Sequence, residues 1–178
     1  MARLPTSTGS ARKRARASVA RQAVCAAALA WATLAFAADP KLLPPEEAFR
    51  FSARMLDDKT IEARFSVADG YYLYRDKLAF AVDPSGGSVG APALPAGKVK
   101  EDPFFGKVET YRGELLVTLP FSAAAGKTVV LAADSQGCAD AGVCYPAFRQ
   151  KVTLALPAPG KGPGPLVEAH PRKKQWFN

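Results

Sequence analysis

Histidine is nearly absent from this sequence: its 178 residues include one, His170, close to the carboxyl end. A Ser-His-Asp or Cys-His mechanism needs a histidine as its base, and a single histidine followed by Pro171 is a poor candidate. A zinc site needs three or four ligands, and the sequence after residue 37 contains two of the three cysteines and no histidine before His170. The sequence also lacks a GxGxxG motif and a P-loop. We therefore expect neither a metal nor a cofactor.

Acidic residues are missing from the first 21 residues, which contain six arginines or lysines. An apolar run from Ala23 to Ala35 follows, and Ala35-Phe36-Ala37 matches the small-residue pattern of a cleavage site. This order is typical of a secretory signal peptide, and the run is shorter than the ~20 residues that cross a bilayer. We predict a signal peptide over residues 1–37 that is cleaved after Ala37. A membrane anchor that is never cut is the alternative.

The formal net charge of +8 comes mainly from this leader. Without its six basic residues, eighteen basic residues face sixteen acidic ones in the remaining 141, a charge of +2. Most of the remaining excess lies near the carboxyl end, at Lys161, Arg172, Lys173 and Lys174. The charge of the folded part is therefore close to zero and does not indicate nucleic-acid binding.

Two cysteines, Cys138 and Cys144, remain after cleavage because Cys25 lies in the leader. An even number of cysteines in an oxidising compartment suggests that they pair. Asp140 and Gly142 favour a turn between them, which predicts a hairpin tip with a cysteine on each arm. A disulfide that closes so short a loop restrains the unfolded chain less than a long-range one. Chemistry alone leaves two interpretations open, a structural staple and a redox switch.

The rest of the sequence alternates with the period of β-strands. In residues 60–67, Ile61, Ala63, Phe65 and Val67 share one face, and polar residues occupy the other. Similar alternation occurs in residues 49–55, 115–119, 129–131 and 152–156, with Gly, Pro and Asp turn signals between the runs. Only residues 44–49 favour a single helical turn. This pattern predicts an antiparallel β-sandwich over residues 38–156.

The composition changes at Pro157, where a stretch rich in proline and glycine begins. Such a stretch is typical of a flexible linker, and the basic end after it is typical of a disordered tail. We predict that residues 157–178 form this linker and tail, with no transmembrane segment.

Three stretches resemble the N-terminal periplasmic domain of DsbD, the transmembrane thiol:disulfide interchange reductase. They are residues 69–75 (DGYYLYR), residues 101–107 (EDPFFGK) with 110–112 (TYR), and residues 136–146 (QGCADAGVCYP). The order and spacing match over roughly residues 40–156. The resemblance implies an all-β fold, an immunoglobulin-like antiparallel β-sandwich with an active-site cap loop. The chain would be a stand-alone form of this domain that carries a signal peptide.

The resemblance also implies that Cys138 and Cys144 are catalytic. Cys144 would attack the partner protein, and Cys138 would resolve the mixed disulfide. The cap loop matches residues 102–106, with Phe104 as the ring that covers the disulfide. Ordinary core packing of Phe104 and Phe105 is the alternative interpretation.

Further residues match the surroundings of the family's disulfide. Tyr72 and Tyr74 match aromatic residues that line the site, although tyrosine also suits an ordinary strand. Asp102 matches an acidic neighbour that would raise the pKa of a thiol or relay a proton, and a surface loop carboxylate is the alternative. The sequence departs from the family where Pro103 replaces a second acidic residue and Phe105 replaces a tyrosine.

The function that the resemblance implies is a periplasmic thiol–disulfide relay, a component of a protein-disulfide reductase. Electrons would come from a thioredoxin-like reductase domain and a separate transmembrane donor, because the sequence contains neither domain. They would go to a periplasmic disulfide isomerase or a cytochrome c maturation oxidoreductase. We expect a monomer. The competing interpretation is a non-catalytic β-sandwich, a binding or chaperone-like module with a structural disulfide.

Overall fold

The structure, a computed structural model, describes residues 41–83, 86–103, 105–124 and 126–171. These residues form twelve strands: β1 Phe49–Asp57, β2 Thr60–Val67, β3 Tyr71–Tyr74, β4 Ala79–Val82, β5 Gly87–Val89, β6 Lys98–Asp102, β7 Gly106–Tyr111, β8 Glu114–Ala123, β9 Thr128–Ser135, β10 Gly137–Ala139, β11 Phe148–Ala155 and β12 Val167–Glu168. The predicted helical turn is present at Pro45–Ala48, and a 3₁₀ turn spans Arg75–Lys77. The predicted signal peptide, residues 1–37, lies outside the described residues.

The strands pair antiparallel throughout the described part of the chain and form three sheets. The first sheet has the order β12-β1-β2-β8-β5, the second β10-β3-β7-β6 and the third β11-β9-β4. No helix among the described residues has the length and apolar character that crossing a membrane requires. The prediction of an all-β antiparallel fold is confirmed.

Alternation along the strands builds the main core. In β2 the side chains of Ile61, Ala63 and Phe65 are fully buried, whereas their neighbours on the other face are only half-buried. The Phe65 ring lies 5.0 Å from the Phe51 ring of β1 and 6.4 Å from the Phe80 ring of β4, measured between centroids. Because β4 belongs to the third sheet, this apolar core joins the first sheet to the third.

Strand β3 separates the main core from a second, smaller cluster. All four of its residues are buried. Tyr71 and Leu73 belong to the main core, whereas Tyr72 and Tyr74 pack with Cys138. Successive side chains of a strand point to opposite faces, so one short strand serves both regions. Tyr72 and Tyr74 therefore both lie on the face toward the cysteines, and Tyr71 is the tyrosine of β3 that packs in the main core.

The segment that follows residue 157 differs from the prediction of a free linker. Strand β12 pairs antiparallel with β1, and the amide of Gly164 donates a hydrogen bond to the carbonyl of Met55 at 2.8 Å. Backbone hydrogen bonds need no side-chain alternation, so a composition rich in proline and glycine does not exclude such pairing. Gly164 and residues 167–169 are therefore bonded to the edge of β1. The rest of the predicted tail, residues 172–178, is outside the described part.

Candidate active site

A hairpin carries the two cysteines, as the turn residues predict. A disulfide joins Cys138 to Cys144, and the two residues face each other as an isolated antiparallel bridge. Inside the loop, the amide of Ala139 donates to the carbonyl of Val143 at 2.8 Å. At the tip, Gly142 has a φ of +85°, a conformation that favours glycine. The chain therefore holds the two sulfur atoms together through its own turn geometry.

Gly137 allows β10 to lie close against β3. A Cβ atom at this position would lie 2.2 Å from the carbonyl oxygen of Tyr72 and 2.7 Å from Cε1 of Phe49. Any side chain there would push Cys138 away from β3. Gly137 was not among the predicted site residues, although a glycine inside a strand often marks a close approach of another backbone.

The two sulfur-bearing residues differ in exposure. Cys138 is 1% exposed, whereas Cys144 is partly exposed. Thiol–disulfide exchange requires the attacking thiolate to reach a sulfur atom. A thiolate from solvent or from another protein therefore meets Cys144 before Cys138.

A buried network of hydroxyl and carboxylate groups lies beside Cys138. The hydroxyl of Tyr74 donates to Oδ2 of Asp102 at 2.7 Å, and the hydroxyl of Tyr72 donates to the same atom at 3.1 Å. The Tyr74 oxygen lies 3.1 Å from Sγ of Cys138 and 3.9 Å from Sγ of Cys144. Asp102 is 5% exposed, so it is not a surface loop carboxylate.

The proton of Tyr74 stays on its oxygen at neutral pH. Burial, and next the hydrogen bond with Asp102, raise the pKa of Tyr74 well above its ordinary value. Because the hydroxyl donates its proton to Asp102, its oxygen has a lone pair free for a thiol at Cys138. The arrangement can therefore carry a proton between Cys138 and Asp102 by way of Tyr74.

The predicted cap segment connects β6 to β7, where Asp102 and Gly106 are register partners. The amide of Phe105 donates to Oδ1 of Asp102 at 3.2 Å, and the Phe105 ring packs edge-on against Tyr74 at a centroid distance of 5.2 Å. Phe105 is nevertheless 46% exposed. Phe104, the predicted shield, lies outside the described residues. Its role stays a prediction.

Comparison with known proteins places this hairpin in a family. The family model described as the N-terminal part of the thiol:disulfide interchange protein DsbD matches residues 39–156. The chain belongs to this family. DsbD of Ralstonia nicotianae is 48% identical over an alignment of 143 positions, which covers 76% of this chain and 23% of that relative. The chain thus spans less than a quarter of the length of this curated relative.

Solved structures of DsbD N-terminal domains have the same fold. The Neisseria meningitidis domain in its reduced form is 36% identical, with a TM-score of 0.60 over 71% of this chain and 94% of that one. A second structure is the complex between the DsbD N-terminal and the PilB N-terminal domains of N. meningitidis. It is 35% identical, with a TM-score of 0.54 over 68% of this chain and 95% of that one. These matches confirm the predicted immunoglobulin-like sandwich.

The resemblance to DsbD located residues that sequence periodicity did not. The fold brings Tyr72, Tyr74 and Asp102 to the two cysteines within one connected set of contacts. It also places Lys100 and Arg112 against the Tyr72 ring, with Nζ at 3.7 Å and Cζ at 5.1 Å from its centroid. No local pattern in the sequence connects either cation with Tyr72, so neither was predicted to have a role.

Proposed function

We propose that this chain is a periplasmic thiol–disulfide relay. It accepts electrons from a thioredoxin-like domain fed by a transmembrane donor. It passes them to periplasmic disulfide proteins, such as a disulfide isomerase or a cytochrome c maturation oxidoreductase. The observation that carries the proposal is the position of the disulfide, which lies outside the main core with one buried and one partly exposed cysteine. The proposed signal peptide, residues 1–37, delivers the domain to that compartment.

The exchange proceeds in two steps that conserve electrons. A thiolate of the reduced partner attacks Sγ of Cys144, the Cys138–Cys144 bond breaks, and Cys138 leaves as a thiolate that takes up a proton. The partner's second thiol then loses its proton and attacks the sulfur of the partner's first cysteine in the mixed disulfide. Cys144 is released as a thiolate that takes up a proton. Two electrons have then moved from the partner to this chain. Toward a client disulfide, Cys144 attacks and Cys138 resolves.

Burial supports this division of roles between the cysteines. The partly exposed Cys144 is accessible to a docking protein, whereas Cys138 lies behind it against the Tyr74 hydroxyl. The Cys138 thiol must lose its proton when it resolves the mixed disulfide, and the Asp102 carboxylate can accept that proton by way of the Tyr74 hydroxyl. Tyr74 and Asp102 therefore assist Cys138 rather than Cys144.

The comparisons add support from outside the chain. The relatives are named thiol:disulfide interchange proteins, and one solved DsbD N-terminal domain is in a complex with another protein domain. The competing staple interpretation has less support, because the main core contains neither cysteine. The disulfide therefore does not join the first and third sheets, which pack against each other in the main core.

Single-cysteine variants test the assignment of roles. The probe is a thioredoxin-like domain with one cysteine, supplied as its mixed disulfide with thionitrobenzoate. The Cys138→Ser variant keeps Cys144, and we expect it to displace the coloured thiolate at least about tenfold faster than Cys144→Ser, which needs only a ~1.4 kcal/mol difference in barrier. Faster release by Cys144→Ser would reverse the roles.

The reduction potential tests the relay itself. The Cys138–Cys144 couple of the unmodified chain is equilibrated with glutathione. We expect a potential in the range of redox-active pairs, whereas structural disulfides typically lie below about −300 mV. A value in that lower range would contradict the relay and support the interpretation of a structural disulfide.

A further inference from the structure

Arg112 connects the cysteine hairpin to β3, although the exchange mechanism above makes no use of it. Its Nη1 and Nη2 atoms donate to the two carboxylate oxygens of Asp140, at 2.9 and 2.5 Å. Nη1 also donates to the carbonyl oxygen of Tyr71 at 3.1 Å, and the guanidinium lies against the Tyr72 ring. One side chain therefore contacts the hairpin and two consecutive residues of β3.

Asp140 lies at the tip of the hairpin, between the two cysteines. Its amide donates to the carbonyl oxygen of Gly70 at 2.7 Å, directly before β3. The hydrogen bonds with Arg112 hold the pKa of the Asp140 carboxyl below its ordinary value, so the pair stays ionised at neutral pH. The tip is thus attached to β3 through both the backbone and the side chain of one residue.

The hairpin needs this attachment because its tip is exposed. Residues 140–143 are all exposed, so burial contributes little to holding them. The first arm is fixed by the pairing of β10 with β3. The second arm is fixed at Tyr145, whose hydroxyl donates to the carbonyl of Leu43 at 2.6 Å. The Arg112–Asp140 pair, which we call the tip clamp, fixes the part between the arms.

We propose that Arg112 is a positioning residue for disulfide exchange, which keeps the hairpin closed after the S–S bond breaks so that the two thiols stay within reach. A guanidinium bound to a carboxylate through two hydrogen bonds fixes direction as well as distance, which a lysine cannot do. The proposal rests on the relay function, but it concerns only the closing of the disulfide within this chain.

Closure can be followed with glutathione. One cysteine thiolate attacks glutathione disulfide and releases a glutathione thiolate, which takes up a proton. The second cysteine loses its proton, attacks the protein sulfur of the mixed disulfide and releases the second glutathione. Two electrons pass from the cysteine pair to glutathione disulfide. The second step is intramolecular, so its equilibrium depends on how closely the fold holds the two thiols.

The chain offers a matched control for the tip clamp. Arg149 binds both carboxylate oxygens of Asp134, with Nε and Nη2 at 2.7 and 2.6 Å, in the pairing of β11 with β9. Both pairs are partly exposed and have similar geometry. Only the tip clamp contacts the hairpin.

The test compares Arg112→Gln, Asp140→Asn and their double variant with Arg149→Gln and Asp134→Asn, all in the full chain. The ratio of dithiol to disulfide at fixed glutathione composition gives the equilibrium constant for closure. We expect each tip-clamp variant to lower this constant about two- to fivefold, the range for an exposed ion pair of good geometry. The double variant should match the single variants, and Arg112→Lys should recover part of the loss. The control variants should leave the constant unchanged.

Three results would overturn the proposal. They are an unchanged constant in Arg112→Gln, an equal change in Arg149→Gln, and losses that simply add in the double variant. Denaturation of the oxidised proteins is measured alongside, because a merely structural role would lower stability in both pairs without moving the constant. The relay function has a separate test. It fails if the unmodified chain exchanges with glutathione but transfers no electrons to or from a thioredoxin-like protein.

Discussion

The main core and the disulfide cluster lie on opposite faces of β3, and they are built from different chemistry. Tyr71 and Leu73 face an apolar core that includes Phe51, Phe65 and Leu131. Tyr72 and Tyr74 face Cys138 and the buried carboxylate of Asp102. Burial of apolar area stabilises the main core, whereas hydrogen bonds between buried polar groups stabilise the disulfide cluster. Stability and exchange chemistry are therefore separable, and each can be changed with limited effect on the other.

The largest loss of stability should follow a change in the main core. Phe65 is fully buried against Phe51 and Phe80, so Phe65→Ala should lower the free energy of unfolding by about 3–5 kcal/mol. The glutathione equilibrium constant of the molecules that stay folded should not change, because Phe65 is not part of the disulfide cluster. Chemical denaturation and alkylation of free thiols measure the two quantities. A large shift of that constant would show that the two regions are coupled.

The sequence was sufficient to predict the main core but not the disulfide cluster. Alternation in residues 60–67 predicted the buried face of β2, and Asp140 with Gly142 predicted the hairpin. No local pattern brings Asp102 to Tyr74, which is 28 positions away, and only the family resemblance put them in one site. Contacts between residues so distant in sequence depend on strand order, which alternation does not specify.

The segment predicted as a free linker is partly hydrogen-bonded to the sandwich, for a different physical reason. Residues 157–165 have the composition of a flexible chain, but their backbone groups can still hydrogen-bond to the edge of β1. The Arg112–Asp140 pair was also missed, because an ion pair between a turn and a hairpin has no sequence period. Composition indicates how flexible a free segment would be, and it does not reveal a partner elsewhere in the chain.

Reduction of the disulfide should have the next largest effect on stability. Chain entropy assigns a loop of this length about 2 kcal/mol, less than the loss expected for Phe65→Ala. Reduced protein should stay folded, because β10 still pairs with β3 and the main core is intact. Thermal melts of the oxidised form, the reduced form and Cys138→Ser measure the difference. Complete unfolding on reduction would show that the disulfide is structural and that the stability of the fold cannot be separated from the disulfide cluster.

Two tyrosines of β3 allow a matched comparison of its faces. Tyr71 accepts a hydrogen bond from the amide of Leu43 at 2.8 Å, and Tyr74 donates to Asp102 at 2.7 Å. Tyr71→Phe and Tyr74→Phe should each cost about 1 kcal/mol, because each leaves a polar group with one partner fewer. Only Tyr74→Phe should change the rate at which dithiothreitol reduces the disulfide. Equal rate changes in both variants would contradict a separate role for the cluster face.

The stability that Tyr74 contributes should depend on alkaline pH. The pKa of Tyr74 is raised above its ordinary value of 10.0, first by burial and then by its hydrogen bond with Asp102. The unfolded chain loses this proton near pH 10 while the folded protein keeps it, so the stability from Tyr74 is complete at lower pH and is lost as pH rises. Tyr74→Phe should therefore lose less stability than the unmodified oxidised protein between neutral and strongly alkaline pH. Burial also raises the pKa of Tyr111 and Tyr145, so the alkaline loss should shrink rather than vanish.

A substitution in the cap should give the smallest change in stability, together with a measurable change in the rate of disulfide reduction. Phe105 is 46% exposed, and its ring contacts Tyr74 and lies 5.0 Å from Nζ of Lys77. Phe105→Ala should lower the free energy of unfolding by less than about 1 kcal/mol. An aromatic pair contributes about 0.5–1.5 kcal/mol, and the part of that range below about 1 kcal/mol corresponds to about two- to fivefold in the rate of opening. Reduction by dithiothreitol should accelerate by that factor.

Phe104→Ala, measured beside Phe105→Ala, identifies the ring that controls access to the sulfur atoms. The family resemblance predicts Phe104 as the shield, and the contact with Tyr74 gives Phe105 a part in holding the cap in place. Reduction by a thioredoxin-like protein should change less than reduction by dithiothreitol in either variant, because a docking protein displaces the cap itself. If Phe104→Ala unfolds the domain and leaves the dithiothreitol rate unchanged, Phe104 belongs to the packing of the sandwich. If neither variant changes that rate, neither ring limits access to Cys144, and the cap has no protective role.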